Sequence, residues 1–101
     1  MQYVLLPLAV IAWLGLVGAA QAAGDVQAGK AKAAGCVACH GANGKGVPPN
    51  PGLTDKSEDQ LLQAMKDYKS GKRDNPVMKA LTASLSDQDM ANLAAYYASL
   101  K

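Results

Sequence analysis

The sequence predicts an all-α domain, and three observations carry that reading. Ser57-x-x-Gln60 and Ser86-x-x-Asp89 are capping patterns, each standing at the head of an apolar repeat of helical period. No stretch gives a convincing half-buried strand. Cys36-Val37-Ala38-Cys39-His40 has the C-x-x-C-H form of a covalent haem attachment site, so the core is expected to form around a porphyrin.

The N-terminus reads as an export signal. Residues 3–20 are apolar or small, and Ala20-Gln21-Ala22 supplies an A-x-A cleavage site, so residues 1–22 are expected to be removed before Ala23. The rival is an uncleaved membrane anchor, because no Lys or Arg precedes the run and its length is close to the ~18 residues that could span a bilayer. Trp13, the only tryptophan, would leave with the signal. Residues 23–101 then form one domain, short for a protein core to be stable unaided. A buried porphyrin would supply the missing apolar volume. The domain holds all ten basic and all eight acidic residues, net +2. Two haem propionates would bring it to about zero, a balance that does not suggest nucleic-acid binding.

From Gly24 to about Gly35 an alanine-rich first helix is expected, with Asp25 at its positive end. It runs into the attachment motif. Two thiols must reach two vinyl groups on one porphyrin, and the two residues between them set that span. The next residue, His40, then lies under the iron and supplies an imidazole nitrogen. A zinc half-site would need about four ligands, and only Cys36, Cys39 and His40 are present. A dithiol redox centre would need a strand-to-helix junction.

Residues 41–52, GANGKGVPPNPG, read as a loop long enough to wrap something. A second helix begins at Ser57, with Leu61, Met65 and Tyr68 on its apolar face, Leu62 beside them, and Gly71 as its stop. Residues 72–85 are expected to be irregular around Asn75-Pro76, since proline keeps the preceding residue out of helix. The last helix starts at Ser86 and presents Met90, Leu93, Ala94, Tyr97 and Leu100. This gives three main helices and two haem-facing loops.

A single histidine excludes bis-histidine ligation, and a thioether is the usual alternative. Met65 and Met90 lie on apolar helix faces and read as core filler. Met78, two residues after Pro76 in the irregular segment, is the expected axial ligand. Otherwise it covers the haem edge and leaves an open iron.

These residues resemble the class I c-type cytochromes, in particular the small soluble bacterial monohaem branch. The likeness runs over residues 24–101: GDVQAGKAKAAGCVACHG, then Tyr68-Lys69-Ser70-Gly71-Lys72-Arg73 followed by Asn75-Pro76-x-Met78, and the ending LSDQDMANLAAYYASL. The resemblance implies the cytochrome c fold around one covalently bound haem c. Cys36 and Cys39 would form the thioethers, and His40 and Met78 the axial ligands. A loop proline carbonyl would accept the His40 Nδ1–H, and Pro51 best matches that position. Gly29 matches a glycine where the first and last helices cross, packed by Tyr96 or Tyr97. Leu53-Thr54-Asp55-Lys56 departs from the branch's usual Leu-Ala-Gly-Gln, and residues 81–85 offer no clear propionate ligand.

The function implied is a periplasmic one-electron carrier of the exported bacterial type, a monomer and not an enzyme. Iron held on both faces has no open site. Redox protein partners would dock transiently at the exposed haem edge near Cys36–Ala38. Lys66, Lys69, Lys72 and Arg73 could steer acidic partners, or simply form a solvated helix end. Membrane contact would come only through partner complexes or an uncleaved N-terminal segment. The alternatives are a haem c subunit fixed in a membrane redox complex, and an open-site haem sensor or enzyme, which requires that Met78 not ligate.

Overall fold

The structure is a computed structural model that describes residues 24–101, so the expected signal at 1–22 lies outside the described residues. Those residues form α1 (Val26–Lys32), a 3-10 turn (Ala33–Gly35), α2 (Val37–His40), α3 (Glu58–Ser70), α4 (Pro76–Ala83) and α5 (Asp87–Ser99). Among them the only extended pairing is one isolated bridge, Val47 to Asn50. No helix of the described residues is long and apolar enough to cross a membrane.

The ends of the helices follow from local chemistry. Asp25 caps α1, its carboxylate accepting from the Gln27 and Ala28 amides. Ser57 and Ser86 each form a full capping box, with Gln60 and Asp89 returning the bond. Gly71 closes α3 at φ 85°, a left-handed value that glycine adopts without strain.

Residues 72–85 depart from expectation, because α4 occupies most of them. Pro76 does hold Asn75 out of helix, at φ −156° and ψ 104°. It also sits where a helix can begin, since the first-turn amide it lacks would have no partner there. Asn75 is the cap, its side chain accepting from the Met78 amide. The dipeptide read as a break is the start of a helix.

The core forms where α5 packs against both α1 and α3, with α4 laid on α3. Ala33, Leu61, Leu93, Ala94 and Tyr97 form its buried centre. Met90, Leu93, Ala94 and Tyr97 are buried as the α5 pattern predicts, whereas Leu100 is 38% exposed past the helix end. The close approach of α1 to α5 depends on Gly29. A Cβ there would stand 2.6 Å from the Asn92 carbonyl carbon and 2.8 Å from Tyr96 Cβ. Tyr96 is therefore the aromatic at the crossing. The Asp25 amide donates to Asn92 Oδ1 at 2.8 Å, tying the head of α1 to α5.

Candidate haem-binding site

The attachment motif is one helical turn. The His40 amide bonds the Cys36 carbonyl at 3.0 Å, and the Gly41 amide bonds Val37 at 2.8 Å. Cys36, Cys39 and His40 thus stand at i, i+3 and i+4, on one face of the turn. All three line a cavity of about 470 Å³. α3 and α4 also line it, with Leu61, Met65, Met78 and Thr82, as do Leu93 and Tyr97 of α5. Met90 is buried elsewhere, at 1% exposure, and does not line the cavity.

The loop after the motif folds back to orient the histidine. Gly46, at φ 91°, takes a conformation that a side chain would resist, and its amide donates to the His40 carbonyl at 2.8 Å. The Leu53 amide bonds the Gly44 carbonyl at 2.7 Å and closes the loop. This return brings the Pro51 carbonyl oxygen to 2.9 Å from His40 Nδ1. A carbonyl can only accept, so Nδ1 carries the proton and the lone pair is on Nε2. His40 is itself buried, at 7% exposure.

Met78 is half-buried at the cavity wall, as the third residue of α4 rather than in a loop. Met65 also lines the cavity but packs against the core cluster of Leu61, Leu93 and Tyr97. Three further cations line the space. Lys32 pairs with Asp89 at 3.7 Å, and Lys56 bonds the Gly52 carbonyl at 3.2 Å and Asp55 at 3.3 Å. Arg73 stacks over the Tyr68 ring at 4.6 Å, and among the described residues it has no acidic partner. The sequence presents Arg73 only as one of several cations at a helix end. Its place at the cavity wall comes from the turn after Gly71, where its amide bonds the Asp67 carbonyl at 3.1 Å.

Burial pushes the Cys36 thiol above its ordinary range, partly offset by the Tyr97 hydroxyl against it and reinforced by Cys39. Tyr97 is raised by burial and then by the same sulfur. Its hydroxyl is buried beside the Cys36 sulfur, with no other polar partner among the described residues.

These features fit haem. The cavity is apolar and of cofactor size. Its lining holds paired thiols beside an imidazole whose other nitrogen is already engaged, together with the thioethers of Met65 and Met78. No cluster of His, Cys, Asp or Glu among the described residues suits a bare metal ion.

Comparison with known proteins agrees. The family described as cytochrome c matches residues 26–101. Cytochrome c4 of Pseudomonas aeruginosa is 55% identical over 89 residues, 87% of this chain and 44% of that protein. Cytochrome c-554(548) of Halomonas halodenitrificans is 43% identical over 81 residues, covering 76% of this chain and 98% of that one. The crystal structure of reduced recombinant cytochrome c4 from Pseudomonas stutzeri superposes with a TM-score of 0.73 at 38% identity, over 78% of this chain and 47% of its own. The chain spans about half the length of the cytochrome c4 relatives it matches.

Proposed function

The chain belongs to the cytochrome c family, and from that premise we propose that it is a periplasmic carrier of single electrons. Cys36 and Cys39 would hold its haem c as thioethers, and His40 and Met78 would ligate the iron. The observation that supports this is that His40, Met78 and both thiols line one apolar cavity, with the thiols on the same helical turn as the histidine.

Haem, when bound, supplies the one-electron Fe(III)/Fe(II) couple. The chain's residues do the rest. Pro51 fixes the ring of His40 and raises the basicity of Nε2. Met78 would supply a thioether as the second iron ligand, which favours the reduced state. Two occupied faces leave no coordination site for a substrate, which argues against an enzyme. Leu61, Leu93 and Tyr97 exclude water from the porphyrin. Arg73 would hold a propionate carboxylate, because it is the lining cation without an acidic or carbonyl partner.

Partners would meet the chain at the haem edge beside the attachment turn. Val37, between the two cysteines, is 40% exposed there. Of the cations that could steer an acidic partner, Lys69 is engaged with the Leu85 carbonyl and Arg73 with Tyr68. Lys66 and Lys72 keep their side chains exposed. Docking of this kind is weak and fast.

The test is the oxidised visible spectrum of the exported holoprotein and of its Met78→Ala variant. A weak sulfur-to-ferric charge-transfer band, present in the parent and lost in the variant, is the expected result. A parent without the band that binds carbon monoxide readily when reduced would overturn the carrier reading in favour of an open iron site.

A further inference from the structure

Taking the proposed His40 and Met78 ligation as its basis, we propose that Asn75 and Thr82 are positioning residues. They grip the Met78 peptide from both sides and so hold its thioether on the iron. The Met78 amide donates to Asn75 Oδ1 at 3.0 Å. The Met78 carbonyl accepts the Thr82 hydroxyl at 2.7 Å, and the same hydroxyl lies 3.3 Å from the Lys79 carbonyl. Asn75 holds the next peptide as well, its carbonyl accepting from the Lys79 amide at 2.9 Å.

The burial of Thr82 is the more telling half. It is 1% exposed, one of the most deeply buried side chains among the described residues, and it lines the cavity. A hydroxyl bonded back to the carbonyl four residues earlier does not strengthen a helix and slightly destabilises it. A methyl in its place would fill the same volume with no polar atom to desolvate. The hydroxyl therefore acts on the carbonyl it loads, which is that of Met78.

Met78 needs this help for two reasons. Methionine has three rotatable bonds, and ordering it costs more than ordering most apolar side chains. Apart from the cavity, which Val77 and Leu81 line, α4 rests chiefly on α3. With both ends of the Met78 peptide fixed, only the side chain is left to order when the sulfur binds.

The test uses imidazole as a competitor for ferric iron in the holoprotein, read with the charge-transfer band. Thr82→Val and Asn75→Ala each remove one grip. Each is expected to bind imidazole about fivefold more tightly, the net worth of one hydrogen bond. Thr82→Ser and Asn75→Asp keep the hydroxyl or the acceptor and are expected to stay within about twofold of the parent. Ser57→Ala serves as control, since it weakens the start of α3 without touching Met78. Thr82→Val and Asn75→Ala with parental imidazole affinity would sink the proposal even if both melted earlier. Ser57→Ala tightening imidazole equally would also sink it, because general loosening would then suffice. A parent that lacks the band removes the ligation itself, and with it this inference. A parent that has the band, with unresponsive variants, removes the inference alone.

Discussion

Replacing Gly29 by alanine will cost stability even though alanine is the better helix former. On propensity alone the change within α1 would gain about 1 kcal/mol. The crossing with α5 reverses the sign. The added Cβ would stand 2.6 Å from the Asn92 carbonyl carbon and 2.8 Å from Tyr96 Cβ, where ordinary contacts begin at 3.4 Å. The nearest obstacle is backbone, which cannot rotate aside, so the two helices must part by roughly an ångström. Overpacking of this kind costs about 1–3 kcal/mol, and a backbone obstacle belongs at the upper end. The net is a loss of about 2 kcal/mol, or a melting temperature lower by roughly 8–16 °C for a domain of this size. The assay is thermal unfolding of the holoprotein followed by far-ultraviolet circular dichroism. A variant as stable as the parent, or stabilised as propensity alone would have it, would falsify the close crossing.

Three further expectations follow from named contacts. Asn92→Ala removes the acceptor for the Asp25 amide and for Gln88 Nε2, both at 2.8 Å, and is expected to cost about 1–3 kcal/mol with faster hydrogen exchange at Asp25; unchanged exchange would count against that tie. Tyr97→Phe deletes a buried hydroxyl that has only the Cys36 sulfur, a weak acceptor, beside it among the described residues, so denaturant unfolding is expected to show unchanged or raised stability. A loss above about 1 kcal/mol would reveal a stronger partner for that oxygen. The Asp89 carboxyl is held below its usual 3.8, first by the Ser86 amide and hydroxyl and then by Lys32. Its contribution is complete above 3.8 and is lost as pH falls through the lower folded value. The stability gap between the parent and Asp89→Asn is expected to close under acid, and a gap independent of pH would contradict the cap.

What the sequence made legible was local. The caps at Ser57 and Ser86 and the stop at Gly71 act within a few residues, and each stands where its pattern places it. The attachment turn is equally local, since i, i+3 and i+4 on one helical face need no distant partner. Asn75-Pro76 was local too, but it carries two meanings: it can end one helix or open another. Choosing between them required seeing Asn75 cap Met78. Contacts across the fold had no such signature. Nothing near Asn92 reveals that it binds Asp25, and nothing near Arg73 reveals that its turn brings it to the cavity. The composition around Thr82 reads as an ordinary apolar segment, so its hydroxyl acquires meaning only once its burial is known. The loop prolines illustrate the boundary. The family resemblance pointed to a loop proline, with Pro51 the best match, and the path of the loop brings the Pro51 carbonyl to His40.

The pairing of α1 with α5 also has a consequence in time. The bond from Asp25 to Asn92 spans 67 positions, nearly the whole described chain. Proteins are made N-terminus first, at roughly 5–20 residues per second. The helix leading into Cys36–His40 is therefore made before the α5 surface on which it docks. Joining such distant segments also carries an entropic penalty that nearby contacts do not. The helix that leads into the attachment turn therefore finds its packing partner only once α5 is present, so the α1–α5 crossing completes the fold rather than starting it.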